Sequence, residues 1–95
     1  MTRIVWAPQA LDDLEAIRLY ISQHSTQYAD LVVERIFAAV SRLERHPRSG
    51  RIVPEVGNSA LREIVFGNYR IVYRLHRDIA EILTVFHGAR SVSLE

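Results

Sequence analysis

Three apolar runs between Leu61 and His87 dominate the hydrophobic pattern: Leu-Arg-Glu-Ile-Val-Phe, Tyr-Arg-Ile-Val-Tyr-Arg-Leu-His and Ile-Ala-Glu-Ile-Leu-Thr-Val-Phe-His. All are rich in β-branched and aromatic residues, and the pairs Gly67-Asn68 and Arg77-Asp78 separate them. This spacing predicts a three-stranded antiparallel meander with two-residue turns. The turns set the register: Phe66 faces Tyr69, Ile64 faces Ile71, His76 faces Ile79, Arg74 faces Glu81 and Tyr73 faces Ile82. Because side chains alternate along a strand, that register sorts the meander into two faces. Ile64, Phe66, Tyr69, Ile71, Tyr73, Leu75, Ala80, Ile82, Thr84 and Phe86 form a nearly apolar face that needs a cover. Leu61, Glu63, Val65, Arg70, Val72, Arg74, His76, Glu81, Leu83, Val85 and His87 form a mixed face, and chemistry is expected there.

The first half of the chain reads as that cover. Arg3–Trp6 is apolar and too short for a helix, so it is expected as a strand, at either edge of the meander. Pro8 suits the first turn of a helix, where its missing N–H costs nothing. Ala10, Leu14, Ile17 and Ile21 recur at helical spacing, with Asp12, Asp13 and Glu15 toward the positive end. Ser25 or Thr26 caps a second helix, whose stripe is Ala29, Val33, Ile36, Val40 and Leu43, widened by Val32 and Phe37. That helix must stop near His46-Pro47, since proline disfavours helix in the residue before it. A short connection makes the two helices an antiparallel hairpin. Residues 47–59 hold two prolines and two glycines and read as an irregular link. The order β-α-α-β-β-β predicts an α+β, two-layer fold with the helical hairpin packed on a mainly antiparallel four-stranded sheet. Residues 1–93 make one domain, and Leu94-Glu95 reads as a cloning remnant.

Composition narrows the setting. Cysteine is absent, which removes disulfide and thiolate chemistry and makes a reducing cytoplasm the simplest home. No apolar run approaches the roughly 18 residues of a membrane span. Histidines 24, 46 and 76 lack metal-ligand spacing, so neither metal nor cofactor is expected. The net charge of +1 conceals an uneven distribution, and every basic residue is arginine. Residues 42–77 carry eight arginines against three acids, whereas residues 1–41 carry three against five. An arginine-rich middle points to an anionic partner, either nucleic acid or an acidic protein segment.

Six segments carry a family likeness in order along nearly the whole chain. They are Trp6-Ala-Pro-Gln-Ala-Leu-Asp-Asp-Leu-Glu-Ala-Ile, Leu43-x-x-His-Pro-x-x-Gly50-Arg51, Val53-Pro54-Glu55, Leu61-Arg62-Glu63, Tyr69-Arg70-Ile-Val-Tyr73-Arg74 and Ile82-Leu-x-Val-x-His87-Gly-x-Arg90. Together they resemble the ParE/RelE toxin superfamily of bacterial toxin–antitoxin modules. The resemblance implies two helices on an antiparallel sheet and a cognate antitoxin as partner. It implies one of two activities: RelE-like proteins cut mRNA on the ribosome, and ParE-like proteins poison DNA gyrase and lack the nuclease residues. Metal-free RNA cleavage needs a base for the 2′-hydroxyl, cations for the phosphorane-like transition state and an acid for the leaving oxygen. By resemblance, Arg70 falls on a functional arginine of the RelE branch, but the two strand lysines fall on Leu61 and Glu63. A nuclease subgroup with Glu, Arg and a late His-Tyr is matched by Glu55, Arg70 and His87, with Gly88 where the tyrosine would stand. The set is partial, and the resemblance is nearer the ParE side, with gyrase as target.

On the mixed face, Val65, Val72, Leu83 and Val85 are expected as an exposed apolar patch rimmed by Arg70 and Arg74, the kind of surface that binds protein. An antitoxin helix or strand suits it. Arg51 is the member of the Arg42, Arg45, Arg48, Arg51 series expected to face a partner, and Arg90 is added from the tail. Arg74 opposite Glu81 also reads as a cross-strand pair worth a fraction of a kcal/mol.

Overall fold

The computed structural model describes residues 1–88. Its elements run β1 Arg3–Trp6, α1 Pro8–Ser22, α2 Thr26–Ser41, a single 3₁₀ turn Arg42–Glu44, β2 Arg51–Ile52, β3 Leu61–Phe66, β4 Tyr69–His76 and β5 Ile79–His87. The sheet has five strands in the order β1-β5-β4-β3-β2. The α+β reading and the helix-on-sheet layering hold. The expected four strands become five, because Arg51 and Ile52 pair with Glu63 and Arg62 inside the link. A two-residue strand within the three residues between Gly50 and Pro54 is too short to announce itself. The first strand, placeable at either edge from the pattern, runs parallel to β5.

Each helix begins as its sequence dictates. Pro8 opens α1, and the Ser25 hydroxyl accepts the Tyr28 N–H at 3.1 Å, capping α2. Ala10, Leu14, Ile21, Ala29, Val32, Ile36, Val40 and Leu43 are buried against Ile71, Tyr73, Ala80 and Ile82 of the sheet. Trp6 closes one end of this core, its ring 4.9 Å from that of Phe37. The turns are where the pattern put them. Gly67 sits at φ 56°, a conformation glycine adopts freely, whereas Arg77 takes φ 57° with a full side chain, at a cost of about 1 kcal/mol.

The meander keeps all five predicted pairings. It departs from them in one place. Between Val72 and Tyr73 the register against β5 shifts, so that Tyr73 still faces Ile82 while Val72 faces Thr84 and Ile71 faces Val85. One extra residue on β5 inverts every side chain beyond it. Val85, expected on the mixed face, is 2% exposed in the core under the helices. Phe86, expected under the helices, packs instead with Val53, Leu61, Val72 and Leu83 on the opposite side. His87 changes face with Val85, and its ring meets that of Tyr69 at 6.1 Å.

Candidate functional site

The site the sequence points to is the mixed face of β3 and β4. Glu63 and Arg70 lie diagonally across the two strands on that face, since Glu63 pairs with Val72 and Arg70 with Val65. Both are buried, at 1% and 7% exposure. Burying either charge alone would be prohibitive, and the fold resolves this by assembling four groups. Arg70 Nε donates to Glu63 Oε1 at 2.8 Å, and its terminal nitrogens grip Glu55 in a fork at 2.7 and 2.8 Å. Arg51 at the start of β2 donates to the second oxygen of Glu63. Phe86, delivered to this side by the bulge, lies under the Arg70 guanidinium at 5.5 Å from the ring centroid. The hydrogen bonds to Glu55 raise the Arg70 pKa further above its already high value, against the opposing effect of burial.

The formal charges of Arg51, Glu63, Arg70 and Glu55 sum to zero. Arg70 and Glu55 each meet an opposite charge within this network. Glu55 and Arg70 are brought together as the nuclease reading required, but as partners of each other. The His87 ring turns to Tyr69, and the residue lines both a cleft bounded by Asp13, Ile17 and Tyr20 and a second one bounded by Arg51, Val65 and Arg70. Of the three, Glu55 and Arg70 pair directly, and His87 shares a cleft with Arg51 and Arg70 at the end of the strands. Among the described residues no group of three His, Cys, Asp or Glu side chains is arranged to hold a metal.

The expected apolar patch is also redrawn. Val72 is fully buried, because the link 53–60 folds back over it and seats Val53 there. Val85 lies on the helix side. Leu83 is half-buried, and only Val65, 54% exposed, remains open as expected. Arg74 faces Glu81 as predicted, but no ion pair forms between them. Arg51 is at the surface and tied to Glu63. Arg90 lies outside the described residues.

Two residues that hold this face in place carried no functional expectation. The Tyr73 hydroxyl, buried, accepts the Gly50 N–H at 3.0 Å and donates to the Pro47 carbonyl at 2.7 Å, pinning the link to the sheet. A Cβ on Gly50 would come within 2.6 Å of that hydroxyl, so only glycine fits. Arg62 reinforces the same link by donating to the Ser59, Arg48 and Gly50 carbonyls. Asp13, expected merely as an acid near a helix start, accepts the Thr84 hydroxyl at 2.6 Å and the Val85 N–H at 3.0 Å through Oδ2. It thereby satisfies the bulge. The diagonal Glu63/Arg70 placement was a readable signal for the buried network; nothing in the pattern marked Asp13.

With this geometry in view, known proteins can be set beside it. The family model of the ParE toxin of type II toxin–antitoxin system, parDE, matches residues 4–92. The Y4kP protein of Sinorhizobium fredii is 44% identical over 88 residues, covering 90% of this chain and 88% of its own. Toxin RelE2 of Caulobacter vibrioides is 35% identical over 91 residues, covering 95% and 99%. Among solved structures, that of a chromosomal ParDE TA system from P. aeruginosa superposes with TM-score 0.76 at 21% identity, over 92% of this chain and 96% of that one. A YoeB dimer from Staphylococcus aureus gives TM-score 0.59 at 17% identity, over 87% and 92%. At these identities the solved structures speak for the fold.

Proposed function

This chain belongs to the ParE toxin family of type II toxin–antitoxin systems, and from that footing we propose that it acts by binding DNA gyrase and holding it on cleaved DNA, with a cognate antitoxin that neutralises it. The observation that carries this reading over a nuclease is the state of Arg70. A transition state gaining negative charge needs cations whose charge is uncompensated and preorganised. Arg70 is instead enclosed by Glu55 and Glu63, and the His87 ring turns to Tyr69. Such a face suits a charge-compensated contact surface better than acid–base machinery.

One finding favours a second reading. The relative named RelE2 spans nearly the whole chain, so ribosome-dependent mRNA cleavage is the alternative activity. The test adds purified protein, with and without excess antitoxin, to gyrase and supercoiled plasmid. Linear DNA released after detergent and protease, and suppressed by the antitoxin, is the expected result. A folded, antitoxin-binding protein that yields no linear DNA but cuts ribosome-bound mRNA would overturn it.

A further inference from the structure

A cleft of about 370 Å³ lies between α1 and the paired ends of β4 and β5. Its helix wall is a single stripe of α1, formed by Asp13, Ala16, Ile17 and Tyr20. Its sheet wall includes Tyr69 and His87, which pair across the two strands. Burial pushes the Tyr69 phenol up, and the neighbouring Tyr28 and Tyr20 phenols push it further, so three tyrosines converge at this end of the molecule. Tyr20 is 65% exposed, a ring the core does not use. Asp13 supplies the charge. Its Oδ2 is committed to the Thr84 hydroxyl and the Val85 N–H, while Oδ1 accepts from the exposed Gln9 side-chain amide at 2.8 Å. All three donors are neutral, and among the described residues no cation pairs with Asp13. Arg51 and Arg70 border the second cleft that Tyr69 and His87 also line, and neither borders this one.

We propose that this cleft binds a small organic cation, an ammonium or guanidinium head on a short aliphatic stem, with the head at Asp13 among the tyrosine rings and the stem on Ala16 and Ile17. A cation over an aromatic face is attracted by the ring's quadrupole, and more so where water is partly excluded. A carboxylate at the same place adds a charge-assisted hydrogen bond. The cation would displace the Gln9 amide from Oδ1 and leave Oδ2 on the bulge, so binding needs no change in the sheet. Charge and lining together choose among ligands. A phosphate or carboxylate would meet Asp13 with no arginine beside it. A neutral base could stack on the tyrosines but would leave the carboxylate without a counter-charge. A cation with an apolar stem satisfies all three parts of the cleft. This site is independent of gyrase binding, and its test uses neither gyrase nor antitoxin.

The probe is n-butylguanidinium, titrated into the full chain and followed by amide and aromatic NMR. Saturable shifts are expected at Ile17, Tyr20, Tyr69 and the Val85 amide, which shares the Asp13 carboxylate, with a dissociation constant of about 1 mM or below that rises with salt. The neutral isostere n-butylurea should bind at least about tenfold more weakly, and Asp13→Asn should erase that difference. Tyr20→Leu, at an exposed position, keeps the apolar area and loses the ring; it should weaken the cation by about threefold to fivefold, and Tyr20→Phe should retain it. Tyr20→Leu keeps the test decisive even if Asp13→Asn loosens the bulge, and melting curves show whether either variant is folded. A blocked alanyl-arginyl-alanine tripeptide identifies the source of the cation. Binding no tighter than n-butylguanidinium marks a free amine or guanidine as ligand, and binding about tenfold tighter marks a basic side chain presented by a protein. Absence of saturable shifts, equal binding of n-butylurea, tighter binding of adenosine monophosphate, or full affinity in folded Tyr20→Leu would each overturn the proposal.

Discussion

Arg70 resembles a catalytic arginine in sequence, and in the fold it is buried within an ion network. Its guanidinium joins Glu55, on the link, to Glu63, on β3, in a space almost closed to water. Replacing it with methionine would preserve volume but leave Glu63 buried beside Arg51 alone. Arg70→Met is therefore expected to cost about 3 kcal/mol, and so to lower the melting temperature by about 15 °C in a chain of this size. Urea denaturation measures it. A variant as stable as the parent that has lost its toxic activity would place Arg70 in the action rather than in the fold. Tyr73 offers a second test. Burial pushes its phenol above the usual value, opposed by the Gly50 N–H and by Arg62 and Arg48. The neutral form is thus the one the fold prefers. Its contribution is complete below the ordinary pKa near 10 and is lost as pH rises through the folded value. Tyr73→Phe should cost about 2 kcal/mol at neutral pH, because the Gly50 N–H and Pro47 carbonyl lose their partner. It should also flatten the decline in stability between neutral and strongly alkaline pH, although Tyr69, likewise raised by burial, sustains part of that decline.

At the scale of elements, the bulge in β5 is the pivot. It places Val85 under the helices and Phe86 beneath Arg70, and Asp13 of α1 holds it by accepting both Thr84 Oγ1 and the Val85 N–H. Asp13→Ala should cost about 2 kcal/mol, since two donors lose a charged acceptor. Faster exchange of the Val85 amide and changed shifts at Phe86 and Arg70 are expected. Asp13→Asn keeps an acceptor oxygen and should lose less than half as much. If Asp13→Ala leaves Phe86 and Arg70 untouched, the bulge is held by the sheet alone. The same element shows where sequence reading stops. Gly67-Asn68 and Arg77-Asp78 announced both turns, and the pairs flanking those turns followed correctly. The helices were legible from their stripes and the Ser25 cap. The slip after Ile82 was not, because Leu83, Thr84, Val85 and Phe86 can each be buried on either face, so their pattern records no inversion. Val85 and His87 changed face with that slip. Beside it, Val53 covered Val72, and β2 was too brief to leave a period. Glu55, Glu63 and Arg70 were all visible as charged residues; that they neutralise one another depends on where the link folds, which residues 47–59 do not encode as a pattern.

At the scale of the whole molecule, the sheet carries two cores of unequal size. The large one lies under the helices. The small one, Val53, Leu61 and Val72 with Leu83 and Phe86, lies under the link. The link is fastened at two ends, by Tyr73 and Arg62 near Gly50 and by the fork of Glu55 on Arg70. Few apolar residues hold it between those points, so it should open at lower free energy than the main core. Glu55→Gln removes the charge at one fastening and leaves Glu63 to satisfy Arg70. The Glu55 side chain is 32% exposed, and solvent screening limits the loss to about 1 kcal/mol. Native-state hydrogen exchange should then quicken by about fivefold at Val53 and Leu61, whose amides donate within and beneath the link at 3.1 and 3.0 Å. The amide of Ile71, in the middle of β4, should be unchanged. Equal acceleration at all three would mean that link and core open as one unit. Acceleration confined to the link would mean that the face opposite the helices has a detachable cover, whose release bares Leu61 and Val72 while the helical side stays folded.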